Sequence, residues 1–425
     1  MFIKICSILC IVLGVCNAYG AEDKAEKSSS KTTGWTLTEL LVALKENNPQ
    51  LRSAYQTAKG VEFGVLPAQA LDNPTLSVTQ DPMKNGPLNV GTSTGMTWGI
   101  SQNFMWPGKK RLAGEIVQSQ ADVAQEQANA LKLQLIGQLK TSWVGWQQTN
   151  AQVLATQSQV QRLEQIKEIT KIRYANNAAA YGDYINAQVA QSQMQTDLLA
   201  LQRQKKILED QISLLIGSKQ TVTLMPMVPR GDSKVKDIEK IEEKALEINP
   251  QVRSSQMTVD AARKSLELAE LGKLPDFSVG VMAHSASPPW GFGTSDSYAL
   301  NLGLTFPLYY GVKEKNLIDQ AKANFNAAKE ADDSVRQQVV FSVRSSYHQW
   351  MQSMDQFNLI EDRVLKQAQV GYRLVLSSYS SGQAAYLDLL NAFNALKVAE
   401  ISKEQALAQA VQAKVALDTA VGDSE

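Results

Sequence analysis

Four short stretches of the chain alternate apolar and polar residues with a period of two, the spacing of a strand with one buried face. Leu76, Val78 and Gln80 oppose Thr75, Ser77 and Thr79; Met96, Trp98 and Ile100 oppose Thr97, Gly99 and Ser101. Phe277, Val279 and Val281 oppose Ser278, Gly280 and Met282; Tyr298, Leu300, Leu302, Leu304 and Phe306 oppose Ala299, Asn301, Gly303 and Thr305. Strands are therefore predicted at about 75–82, 94–105, 275–284 and 297–307. Elsewhere the chain becomes rich in Ala, Gln, Glu, Lys and Leu, without proline from about 108 to 176 or from about 311 to 380. Each of these stretches predicts one helix of ~70 residues, about 100 Å at 1.5 Å per residue. Returning helices at about Tyr181–Ile216 and Ala384–Val421 reach ~55 Å, and helices at about Gln50–Leu71 and Gln251–Gly272 add ~33 Å, enough to stack end-on. Ala187, Val189, Ala190, Met194 and Leu198 carry the heptad-like pattern of an antiparallel coiled coil. Order starts near Trp35, where Thr36 or Thr38 caps a helix to about Asn47, and Pro49 opens the next.

This series of elements occurs twice, offset by about 201 to 205 residues. Asn48-Pro-Gln-Leu-Arg-Ser53 returns as Asn249-Pro-Gln-Val-Arg-Ser254, and Pro74-x-Leu76-Ser-Val78 as Pro275-x-Phe277-Ser-Val279. Trp143-x-x-Trp146 returns as Tyr347-x-x-Trp350, and Tyr174…Asp183-x-x-Asn186-Ala187 as Tyr379…Asp388-x-x-Asn391-Ala392. Solenoid repeats run at roughly 20–50 residues, so this is a duplicated structural half. The halves are assigned to 35–230 and 231–425, together forming one body.

One alternating strand reads as an ordinary half-buried sheet. Four of bilayer-spanning length, with small residues on the second face, favour a transmembrane β-barrel. Lipid forbids open sheet edges, and about eight strands is the practical minimum for closure, so a chain with four must oligomerise. Loops Asp81–Pro87 and Ser287–Gly293 are turn-rich and are expected on the extracellular side, with Trp290 and Phe292 as interfacial anchors or loop packing.

Lys plus Arg equals Asp plus Glu at 42 each, so no net field recruits nucleic acid. The two histidines, His284 and His348, exclude a His-rich metal site. At the N-terminus Lys4, the apolar run Ile5–Val15 and the small-x-small Ala18-Tyr-Gly20 read as a signal peptide over 1–20, followed by a flexible leader over 21–34. Lipidation at Cys16 is the alternative. Cys6, Cys10 and Cys16 are the only cysteines, so cleavage after Gly20 leaves none. No later run of ~18 apolar residues predicts a transmembrane helix.

Strands, very long polar helices and internal duplication together resemble the TolC-like outer-membrane efflux channels. The most specific stretches are Ile100–Lys110 and Leu304–Lys313 at strand-to-helix junctions, the hairpin tips Arg173–Asp183 and Tyr379–Asp388, and the helix ends Leu214–Gly217 and Thr419–Gly422. The resemblance implies a mostly α fold with a transmembrane β-barrel portion, built as a homotrimer with four strands per chain. It further implies an outer membrane location in a Gram-negative bacterium, contact with outer-membrane lipid, and a long periplasmic extension. Partners would be a periplasmic adaptor and an inner-membrane pump, with no nucleic acid, cofactor or bound metal. Channels of this family close where tyrosine and arginine of one hairpin tip hold acids of a neighbouring one. Asp183, Tyr379 and Asp388 match tip residues, while the arginine position falls on Ala384 and a second acid on Asn391. Asp183, Tyr379, Asp388 and Asn391 are therefore the expected constriction, with a ring of Asp388 carboxylates favouring cations. Both acids also suit the first turn of a helix, where a carboxylate complements the dipole. Adaptor docking is expected on Asn177, Ala178, Ala179, Tyr181, Gly182, Gly382, Gln383, Ala384 and Tyr386, whose small side chains admit a close helix, although alanine also simply forms helix well.

An enzyme is disfavoured, because no carboxylate pair comes with a histidine or a phosphate-cradling glycine loop, and Gly291-Phe-Gly293 opens no helix. Met96, Met105, Met225, Met227, Met351 and Met354 suit packing better than soft-metal handling. A type I protein-secretion duct shares the same fold, and a soluble periplasmic coiled-coil scaffold is the remaining alternative. Trp106-Pro-Gly-Lys-Lys-Arg111 resembles the heavy-metal-exporting branch, which makes metal cations or drugs the expected cargo.

Overall fold

The computed structural model describes residues 34–80, 95–219, 221–225, 237–285 and 297–423. The signal peptide, nearly all of the leader, both turn-rich loops, the strand ends at 81–82 and 94, and Met227 lie outside the described residues. Helices α1 (Leu37–Asn47), α2 (Pro49–Glu62) and α3 (Val65–Gln69) lead into strands β1 (Thr75–Gln80) and β2 (Met96–Phe104). Then come the hairpin α4 (Lys109–Ala175) and α5 (Tyr181–Leu215), helices α6 (Ile238–Ile248) and α7 (Pro250–Leu271), and strands β3 (Asp276–Ser285) and β4 (Ser297–Thr305). The second hairpin is α8 (Glu314–Leu359), a π-helical turn (Ile360–Leu365), α9 (Lys366–Ser380) and α10 (Tyr386–Val421).

The four strands form one antiparallel sheet in the order β1-β2-β3-β4. Its register decides which residues share a face. Leu76 pairs with Ile100, Ile100 with Val281 and Val281 with Leu300, while Phe104 pairs with Phe277 and Phe277 with Leu304. Thr75, Ser101, Gly280 and Asn301 line up on the other face in the same way. The sheet thus has one apolar face and one small, polar face. Nothing among the described residues covers the apolar one, on which Leu302 remains 68% exposed. On the polar face a Cβ at Gly99 would stand 2.7 Å from Ser77 Oγ, and one at Gly303 2.5 Å from Ser278 Oγ. Glycine there lets neighbouring strands pack closely on that side. Among the described residues the outer edges of β1 and β4 have no strand beside them, and no helix is long and apolar enough to cross a membrane.

Of the two sequence-predicted long helices, the first is continuous over 67 residues. The second is not, and the repeat explains why. Trp146 and Trp350 stand 204 apart, but Tyr174 and Tyr379 stand 205 apart, so the second copy carries one extra residue between these landmarks. The π turn at Ile360–Leu365 lies in that interval and absorbs it. The predicted helix over 50–71 also breaks, at Phe63–Gly64, because Pro67 has no N–H to bond the Phe63 carbonyl; helix resumes at Val65, where proline is tolerated in the first turn. Val189, placed in the coiled-coil seam from sequence, is exposed instead; two residues from buried Ala187, it points away from the line that Ala187 and Met194 make.

The repeated Asn-Pro-Gln has a packing role in both halves. Asn48 Oδ1 caps α2 by accepting from Leu51 N–H at 2.9 Å, and its Nδ2 donates to Leu215 O at 2.7 Å. Asn249 caps α7 through Gln251 N–H at 2.8 Å and donates to Ala420 O at 2.8 Å. Each buried asparagine therefore ties a helix start to the end of the returning helix. That end turns through Gly217 (φ 68°) or Gly422 (φ 96°), where a Cβ would stand 2.7 Å from Asn47 O or 2.9 Å from Asn249 Cα. Apolar clusters gather at these knots: Leu40, Leu44, Leu139, Trp143 and Trp146 in the first half, Val252, Val339, Val343 and Trp350 in the second. Asn249→Ala removes a cap and strands a buried carbonyl, and is expected to cost about 1–3 kcal/mol. Asn249→Ser keeps a side-chain acceptor for the cap and loses the donor to Ala420 O, so in thermal unfolding its midpoint should fall between those of Asn249→Ala and the parent.

Candidate functional site

The hairpin tips bring together most of the residues singled out from sequence. In the first tip Asn177 takes a left-handed conformation (φ 58°), with Ala178 N–H bonded to Arg173 O at 2.8 Å and Asn177 N–H to Tyr174 O at 2.9 Å. In the second, Gly382 (φ 88°) takes the same place, with Gln383 N–H on Ser378 O at 2.8 Å and Gly382 N–H on Tyr379 O at 3.1 Å. These paired bonds close a helix C-terminus, and they need a residue that tolerates positive φ, which asparagine and glycine do. Ala178, Gly182 and Gln383 are exposed, and Ala179 and Ala384 half-buried, so each turn presents a surface of small residues.

Tyr379 is 1% exposed and held within its own chain. Its hydroxyl donates to Thr170 Oγ1 at 3.1 Å. The Arg173 guanidinium lies 4.3 Å from its ring centroid, with Nη1 donating to Tyr379 O and Nη2 to Ala178 O at 3.0 Å. Arg173 was not singled out from sequence, although the family's arginine position is vacant at Ala384; it supplies a guanidinium from the opposite hairpin. Tyr386 packs edge-on against Tyr379 with centroids 6.3 Å apart, and its hydroxyl finds no hydrogen-bond partner among the described residues. Burial pushes the Tyr386 phenol up to about 12, with Tyr379 and Asp183 adding to the effect. Leu163, Ile166, Met194, Leu389 and Phe393 pack round this group.

Of the acids, Asp183 acts on Tyr386 through its charge, whereas Asp388 serves its own helix start. Asp388 is exposed in the first turn of α10 and accepts from Ala385 N–H at 3.2 Å, so it performs helix-start chemistry while keeping a solvent-facing charge. Asp183 is half-buried in the first turn of α5, and Asn391 is exposed. Higher up, Arg162 meets Glu400 at 2.8 Å and Gln159 donates to the same carboxylate at 3.0 Å, a second polar tie between the hairpins. The counterparts of Tyr379 and Tyr386 behave differently. Tyr174 is 44% exposed and Tyr181 is exposed too, their rings 5.4 Å apart, with Tyr184 beyond. Among the described residues no three His, Cys, Asp or Glu side chains cluster as metal ligands would.

Comparison with known proteins bears on this geometry. The family model described as outer membrane efflux protein matches residues 40–218 and 242–423. The chain is similar to the outer membrane protein TolC of Salmonella enteritidis, 28% identical over 158 residues, 35% of this chain and 32% of that protein. It is 26% identical over 180 residues to the outer membrane efflux protein BepC of Brucella suis biovar 1, 42% of this chain and 39% of that protein. These matches span about a third of the relatives' lengths. The solved structure of CusC superposes with a TM-score of 0.79 at 16% identity, covering 93% of this chain and 96% of that one, which speaks for the fold.

Two outcomes follow for the tip. Tyr379→Phe loses one buried hydroxyl bond, worth about 1 kcal/mol, and Arg173→Ala loses more because charge-assisted bonds are stronger. Hydrogen exchange should show the amides of 376–386 opening faster in both, most in Arg173→Ala. A phenol raised from about 10 stabilises the fold below pH 10. That contribution is lost as pH rises from 10 towards 12, so Tyr386→Phe should flatten the alkaline loosening of the tip seen by limited proteolysis.

Proposed function

Because this chain belongs to the outer membrane efflux protein family, a family of channel proteins, we propose that it is the exit duct of a tripartite efflux system, passively conducting metal cations or drugs out of the cell. The sheet is the observation that carries this reading: its register gathers the apolar side chains on one uncovered face and leaves two edges open. In lipid such edges must be paired, because an unsatisfied backbone group there costs several kcal/mol. Three copies joined β4 to β1 would make a closed barrel of twelve strands, with the apolar face to lipid and the small, polar face to the pore. The helices, about 100 Å long by their residue count, would continue the duct through the periplasm.

In this reading the two tips face the inner membrane. A periplasmic adaptor would dock on the small residues of Ala178–Ala179 and Gln383–Ala384 and on the exposed rings of Tyr174 and Tyr181, and an inner-membrane pump would feed the duct. Tyr379, already bonded to Thr170 and Arg173, would hold the hairpins of one chain together. The constriction itself would fall to Asp388, with Asp183 and Asn391 beside it. Rings of carboxylates favour cations. Asparagine can still accept from Ala385 N–H, so Asp388→Asn removes the charge and spares the helix start. In planar bilayers this variant is expected to lower the cation-to-anion permeability ratio; an unchanged ratio would place the constriction elsewhere.

Cargo is tested by growth of a strain lacking the chain against copper, silver, zinc, cobalt and cadmium, beside dyes, bile salts and antibiotics. Heightened sensitivity to either group, restored by the parent gene, is the expected result. An unchanged profile with loss of a secreted protein would move the duct to protein secretion.

A further inference from the structure

Two side chains on the polar face of the sheet do not fit it. That face runs in cross-strand rows: Ser77, Gly99, Met282 and Ala299 in one, Thr79, Thr97, His284 and Ser297 in the next. Its described residues are Gly, Ala, Ser, Thr or Asn, except for three on β3. Asp276, at the end next to the helices, accepts from Lys109 Nζ at 2.8 Å and from Trp106 N–H at 2.7 Å. Met282 and His284 remain, two residues apart on one strand and both half-buried. Packing does not account for the methionine. Its neighbours across the strands are Gly99 and Ala299, and a Cβ at Gly99 would stand 3.5 Å from Met282 Cγ. The thioether side chain thus lies over a glycine, on a face with little apolar surface to receive it. Met194, by contrast, is 4% exposed inside an apolar cluster.

We propose that Met282 Sδ and His284 Nε2 form a site for a soft univalent metal ion, copper(I) or silver(I). The donors choose the metal. A thioether selects soft ions, imidazole suits copper, and the two rows of the pair hold no carboxylate for magnesium or calcium. Zinc takes three or four protein ligands, more than this pair supplies. Alternate residues of a strand stand about 7 Å apart, a gap that a flexible methionine closes. Thr97 positions the ring, its Oγ1 lying 3.1 Å from His284 Nδ1. With Nδ1–H donating to that hydroxyl, the lone pair for the metal is on Nε2.

The site rests on the duct proposed above for its role and not for its chemistry. In that duct the polar face lines the pore, and each copy offers one pair at the end of the barrel away from the helices. Two ligands hold an ion loosely enough to release it, which conduction requires. Within the cargo given above, the pair singles out soft univalent cations. The other histidine offers no equal. His348 has Met351 three residues on, but that methionine packs against the apolar cluster of Val343 and Trp350. Met96 stands on the opposite face of the sheet, paired with Gln80 and Ser285.

Silver(I) added to the detergent-purified protein is the probe. Equilibrium dialysis with metal counting should find about one more silver ion per chain in the parent than in Met282→Leu or His284→Gln. Met96→Leu and His348→Gln should match the parent, and zinc and magnesium should not compete. Thr97→Val is expected to weaken binding about tenfold, and Thr97→Ser to restore it. In the parent itself, silver should shift the carbon-13 methyl resonance of Met282, a readout that needs no folded ligand variant. Equal silver counts in the parent, Met282→Leu and His284→Gln, or an unmoved Met282 resonance, overturn the site. If the strain lacking the chain is sensitive to silver while the purified parent shows neither effect, the site falls and the duct stands. Silver bound as expected by a protein whose loss changes no sensitivity leaves the site standing and overturns the duct.

Discussion

Backbone groups along a strand edge must find hydrogen-bond partners, and among the described residues two edges have no strand beside them. That constraint reaches further than the sheet. The register that aligns Leu76, Ile100, Val281 and Leu300 makes a face too apolar for water. The edges of β1 and β4 make the same sheet unfit for lipid as a single copy. Within a β-sandwich a second sheet or a helix would cover that face. Here the helices run on from the strands and pack on one another, leaving association as the way to satisfy both face and edges.

Duplication within one chain sharpens the same point. Two halves with the same elements meet at one seam inside the molecule, where α4 packs against α10. That seam carries charge: Arg162 with Glu400, and Arg173 over Tyr379. At the places equivalent to Gly137 and Thr419 the other halves carry Phe341 and Leu214, both exposed. The π turn at Ile360–Leu365 lets the second hairpin hold its packing on either side of one added residue.

Much of this was legible in the residues. Period-two alternation placed all four strands, because a face that must be uniform leaves a strong local signal. The repeated Asn-Pro-Gln stood out before its role was visible, and Asn48 and Asn249 now explain it as a cap and a carbonyl donor at once. Three features lay beyond local pattern. The π turn is recorded only as the drift from 204 to 205 between landmarks, and neither glycine nor proline marks it. Val189 looked like a seam residue because apolarity alone cannot say which side of a helix faces its partner. Arg173 escaped notice because the expected arginine belonged to the other hairpin; the contact, not the position, is what this fold requires.

The strength of these ties also bears on opening. Arg162–Glu400 and Arg173–Tyr379 are partly exposed, and a charge-assisted bond in such a setting contributes about 1.5–3 kcal/mol. Moving a two-state tip from almost always closed to almost always open takes a partner that prefers the open form by about 5.5 kcal/mol. A few such ties, repeated in each copy of a ring, are of the size that one docking partner per copy can offset. The tip also holds the apolar cluster of Leu163, Ile166, Leu389 and Phe393, so a partner that opened it would have to offset that packing as well as the polar ties.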